Sequence, residues 1–121
     1  MANTFKPITF AAEPNSAGTP YVVYTVAGST TTVILGLRLT NLHTTSVTVE
    51  VEHVSDTAAR GGNNNVANTT AFLAKDVVIP AKSSLEILAG SKIVLEATDA
   101  IRVDCSVADK ISGVLSVMEI T

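Results

Sequence analysis

Tryptophan is absent from this chain of 121 residues, and aromatic side chains of all kinds make up 4% of it. A core must therefore be built from Val, Leu, Ile and Ala, and exposed aromatic platforms of the kind that bind sugars are scarce. There is one cysteine, Cys105, which excludes an internal disulfide. Charged residues are 16% of the chain, the net charge is −3, and no Lys/Arg run exists, so neither nucleic acid nor an anionic membrane surface is an expected partner. No apolar run is long enough to cross a bilayer as a helix, and no basic start with an apolar stretch marks a secretory signal, so synthesis in the cytosol is expected. A helical apolar period is also missing.

What is present is β-branched alternation. Apolar residues reach 46%, enough for one modest core in a single domain. The pattern is densest from Val77 to Ser106, which reads as strand, turn, strand, turn, strand. Pro80 and Gly90 mark turns; Ile101, Val103, Cys105 and Val107 face one way, with Arg102, Asp104 and Ser106 the other. Tyr21 to Val26 is the first strand after a Pro-interrupted start. Thr31 to Asn41 is the longest, with Val33, Leu35, Leu37 and Leu39 expected inward and Gly36 marking a bend or a close backbone approach. Ser46 to Val54 follows a predicted hairpin, with Val47, Val49 and Val51 inward and Arg38 facing Glu50 or Glu52 across it. Ser55 to Thr70 has turn chemistry and no apolar period, and reads as a long surface loop. About eight short strands of this kind predict an all-β fold, an antiparallel β-sandwich with jelly-roll or immunoglobulin-like connections, over residues 21–121.

Residues 1–20 stand apart. Pro7, Pro14 and Pro20 interrupt regular structure, yet the segment holds Phe5, Ile8 and Phe10. The bland reading is a frayed terminus; the sharper one is an extended arm lying on a neighbouring subunit. The last strand, Val114 to Ile120, is apolar on both faces, with Leu115 and Val117 on one and Val114, Met118 and Ile120 on the other. A small sandwich covers one face of a strand, so the other is expected to meet a symmetry mate. Phe5, Ile8, Phe10, Val114, Met118 and Ile120 are thus the interface candidates, and a homo-oligomer, with a trimer favoured, is the expected state.

Catalytic and metal chemistry find little support. His43 and His53 carry no ligand spacing, and a metal site needs three or four ligands. Cys105 lies on an inward strand face without an evident base. Asp99, Asp104 and Asp109 belong to turns or strand exteriors, and the Gly61–Gly62 pair precedes no helix, so it is no phosphate loop. Tyr21 and Tyr24 are three apart and are expected on opposite faces, which weakens a carbohydrate platform. No cofactor, no metal and no enzymatic activity are expected.

Three segments carry a resemblance: YVVYTVAGSTTTVILGLRLTN (21–41), VVIPAKSSLEILAGSKIVLEATDAIRVD (77–104) and GVLSVMEIT (113–121). Their Leu-x-Leu-x-Asn, Ile-Pro-Ala-x-Ser-Ser-Leu, Leu-Glu-Ala-x-Asp and Leu-Ser-x-x-Glu-Ile motifs resemble small structural proteins of tailed bacteriophage particles. The chain departs from that pattern at Ala27, where Pro more often precedes Ala-Gly, and at Lys82, where Gly is commoner. The resemblance implies a virion component made in the host cytoplasm. Its first implied role is a head decoration (cement) protein bound to the major capsid protein or other virion proteins. A neck or tail-associated protein is the alternative, and a host-surface module touching glycans through 56–70 is a further one.

Overall fold

The computed structural model describes residues 2–55, 69–88 and 91–121. Its nine described strands form two antiparallel sheets packed face to face, a β-sandwich. The strands are β1 (Asn3–Glu13), β2 (Tyr21–Thr25), β3 (Thr31–Asn41), β4 (Val47–Ser55), β5 (Thr69–Ile79), β6 (Ser84–Glu86), β7 (Ile93–Leu95), β8 (Ala100–Cys105) and β9 (Ile111–Ile120). One sheet runs β1-β9-β3-β6, with β7 also paired to β3; the other runs β2-β8-β4-β5.

The pairing is nested. β4 pairs β5, β3 pairs β6 and β7, β2 pairs β8, and β1 pairs β9, with successive pairs alternating between the sheets. This is a long antiparallel hairpin rolled on itself, the jelly-roll connection, and it selects between the two topologies expected from sequence. It also corrects the predicted hairpins. β3 and β4 lie in different sheets, so 42–46 is a crossover and Arg38 cannot face Glu50 or Glu52. Arg38 instead lies 3.9 Å from Glu86, Glu50 bonds Lys75 at 2.7 Å, and Glu52 sits 2.9 Å from Arg102. The strands of 77–106 likewise do not form a meander, because β6 and β7 both pair with β3 while β5 and β8 belong to the opposite sheet.

The core is largely aliphatic, with Phe10 its one buried aromatic ring among the described residues. Ile34, Leu37, Leu39, Val49, Val51, Leu95, Ile101, Val103, Leu115 and Val117 are fully buried between the sheets. β8 follows the expected period of two throughout, and β4 follows it from Val47 to Val51, where the register with β5 slips and Glu52 is buried beside Val51. β3 does not. Its register with β9 slips between Ile34 and Gly36, a β-bulge that turns Leu35 out and leaves Ile34 in the core. Val33 and Leu35, expected inward, therefore leave the core side to Thr32 and Ile34. At the bulge the Leu37 amide donates to the Glu86 carboxylate at 2.9 Å.

Residues 3–13 form β1, an edge strand paired to β9 of the same chain, where either a frayed terminus or an arm on a neighbour was expected. Ile8 opposes Leu115 and Phe10 opposes Gly113, so both point to the core. Pro7 is tolerated because an edge strand leaves half its amides without a ladder partner. Phe10 is 8% exposed and packs on Tyr21 at 5.4 Å between ring centroids.

The motif residues are structural nodes. Buried Asn41 donates from Nδ2 to the carbonyls of Thr45, Ile79 and Pro80 and accepts the His43 amide at 2.8 Å. It thereby ties the β3–β4 crossover to the end of β5. Lys82 holds φ 58°, the left-handed conformation that Gly takes without a Cβ penalty.

Candidate interaction face

The two outer faces of the sandwich differ in chemistry. On the β2-β8-β4-β5 sheet the outer strand residues include Arg102, Asp104, Glu50, Glu52 and Lys75. Phe72 is exposed beside them, with the Lys75 ammonium 4.7 Å from its ring centroid. Hydrogen bonding to Glu50 pushes the Lys75 ammonium above its ordinary value.

The other sheet presents an apolar band. Register places Phe5 opposite Met118, Met118 opposite Val33, and Val33 opposite Val94, so one row crosses four strands. Phe5 is 69% exposed, Val94 57% and Val114 41%. Met118, Val33 and Ile120 are half-buried, and Leu35 stands exposed at the bulge. A second row, Thr9-Val114-Arg38-Glu86, carries the charged residues of this face, and those two lie against each other.

The interface candidates thus divide. Phe5, Val114, Met118 and Ile120 share this outer face, whereas Ile8 and Phe10 turn inward and serve the core of their own chain. Val33, Leu35 and Val94 belong to the face as well. The sequence signal for Val33 and Leu35 was the Gly36 in an unbroken apolar run, which marks a bulge and hence a change of face.

A polar cluster joins the sheets at one end. The Tyr24 hydroxyl donates to Glu119 and lies 2.8 Å from Thr32 Oγ1, while Lys6 Nζ is 2.8 Å from Glu119. Burial and the Glu119 carboxylate push the Tyr24 phenol up to about 12. Lys6 and then Tyr24 hold the Glu119 carboxyl below its ordinary value. Tyr21 and Tyr24 both pack toward the core, not on opposite faces, because the β2–β8 register slips between Val22 and Tyr24.

The remaining candidates are structural. His53 Nε2 lies 3.3 Å from the buried Asp99, whose carboxylate also accepts the Glu96 amide. Cys105 is 3% exposed, and burial pushes its thiol up, away from the nucleophilic thiolate. A shallow cavity of ≈ 200 Å³ beside it is lined by Gly18, Thr48, Glu50, Asp76, Asp104 and Ser106. Asp104 there accepts the Gly18 and Cys105 amides. Among the described residues no three His, Cys, Asp or Glu side chains converge on a metal position. Residues 56–68 of the loop suggested for glycan contact lie outside the described residues.

No family model matches this chain, and no curated protein matches it. A solved structure of Bacillus endospore appendages, described as a novel family of disulfide-linked pili, superposes on 99% of the chain and 87% of its own with a TM-score of 0.49 and 16% identity.

Proposed function

We propose that this chain is a non-enzymatic structural protein of a tailed-bacteriophage particle. In this reading it is a head decoration protein that binds the outer capsid lattice as a small homo-oligomer. The observation that carries the proposal is the apolar outer face running from Phe5 through Met118 and Val33 to Val94. Soluble monomers rarely leave a contiguous apolar band in water, and assembled structural proteins cover it. The phage-like motifs supply the particle, and jelly rolls are a recurrent architecture of capsid proteins; a fold alone does not fix a function. The motif residues Asn41, Asp99 and Lys82 act in turns and crossovers, which suits a family defined by its scaffold rather than by a catalytic site.

The test is copy number in purified particles by gel densitometry against the major capsid protein. A decoration protein is present in hundreds of copies and a neck or tail-associated protein in tens or fewer. Absence from the particle would sink the virion reading altogether.

A further inference from the structure

We propose that the apolar outer face of the β1-β9-β3-β7 sheet is covered by the same face of a second copy of this chain. The inference rests on the reading of this face as a contact surface, which the proposed function shares, but it does not depend on the particle.

Charge favours a second copy over a charged partner. Arg38 and Glu86 are the charged strand residues of this face, they lie against each other, and their sum is zero. Like faces therefore meet without repulsion, although the chain as a whole carries −3. The face also has the anatomy of an interface, with Phe5, Met118, Val33 and Val94 across its middle and Ser112, Thr40 and Ser84 toward one end.

Shape favours stacking. Four strands at roughly 4.8 Å spacing give a width of about 19 Å. From the Asn3-Ile120-Thr31 row to the Thr9-Val114-Arg38 row, at about 3.3 Å per residue, the face is about 20 Å long. A flat surface of this shape is buried most fully by an aligned sheet at the usual sandwich separation of about 10 Å. A two-fold axis lying in the face, along the strands between β9 and β3, seats Phe5 of one copy over Val94 of the other. Such a contact closes with two copies; a trimer would need a different, head-to-tail surface. The area, about 400 Å² per copy, is half that of a standard interface, about 800 Å² per partner. The pair is therefore weak in solution and firm only where copies are concentrated, as on a lattice.

The test is sedimentation equilibrium of the full chain from micromolar to millimolar concentration, beside circular dichroism. A monomer–dimer equilibrium is expected, with Met118→Glu and, separately, Val94→Asp each raising the dissociation constant at least 10-fold. Val94 is 57% exposed, so its variant tests the face even if Met118→Glu disturbs folding. Val78→Asp, on the opposite sheet and 58% exposed, is expected to leave association unchanged. A wild-type chain that stays monomeric at millimolar concentration overturns the proposal. So does association that survives both face variants. Dimerisation that holds while the protein proves absent from particles sinks the virion reading alone.

Discussion

Phe10 and Gly113 are opposed across β1 and β9, and the ring fills the space above the glycine. A Cβ built on Gly113 would lie 2.5 Å from Phe10 Cζ and 3.1 Å from the Arg38 carbonyl oxygen. The ring, packed on Tyr21, must shift to admit a methyl, and the Arg38 carbonyl must give by a few tenths of an ångström. Gly113→Ala is expected to cost about 1–3 kcal/mol as an overpacked core position. In a Phe10→Ala background most of that cost should vanish, a coupling that urea midpoints in a double-mutant cycle measure directly. Additive costs would show that the ring does not occupy the site. Phe10 was legible in sequence as a side chain too apolar to be solvated. Its partner was not, since a glycine announces a missing side chain without naming what fills the space.

Strand β3 shows where alternation stops being a guide. On β8, and on β4 from Val47 to Val51, every second residue is buried, because the ladder between those two strands keeps the pleat in phase. On β3 one extra residue at the bulge shifts the phase, and a run of consecutive apolar residues gives alternation nothing to discriminate. Ile34→Ala is expected to cost about 2–5 kcal/mol and Leu35→Ala under about 1 kcal/mol. The sequence reading alone ranked them in reverse. Chemical denaturation of the two variants decides between the registers, and equal midpoints would refute the bulge. β1 was missed for a related reason: Pro7 excludes a central strand but not an edge strand, and sequence does not say which strand will be the edge.

Across the whole molecule the two sheets meet through apolar burial and, at one end, through Lys6, Glu119, Tyr24 and Thr32. The linkage has two signs. Glu119 titrates below its ordinary value when folded, so its contribution is present above the unfolded value and lost as pH falls through the folded one. Tyr24 titrates near 12 against an ordinary 10.0, so its contribution is present below the unfolded value and lost as pH rises through the folded one. Glu119→Gln is expected to flatten the acid limb of stability against pH, and Tyr24→Phe the alkaline limb. Thermal melts across pH read both; limbs unchanged in the variants would show the cluster to be unformed in solution. The sandwich class was legible because composition and alternation are averages over many residues. The nested strand order was not, because it depends on which distant segments pair, and short-range patterns are silent on that.

That order also sets a timetable. β9, the last of the described strands, lies between β1 and β3 and supplies a ladder to both. Until residues 111–120 have left the ribosome, the first strand has no partner in its sheet and β3 has only the short β6 and β7. The apolar faces of Ile8, Phe10, Ile34 and Leu37 must wait for Leu115 and Val117. Assembly of that sheet is therefore a late, all-at-once event, with long-range closure that proceeds slowly compared with local folding. Chains in which the last strand has not yet joined expose those edges and faces, so chains truncated before residue 111 are expected to aggregate rather than fold.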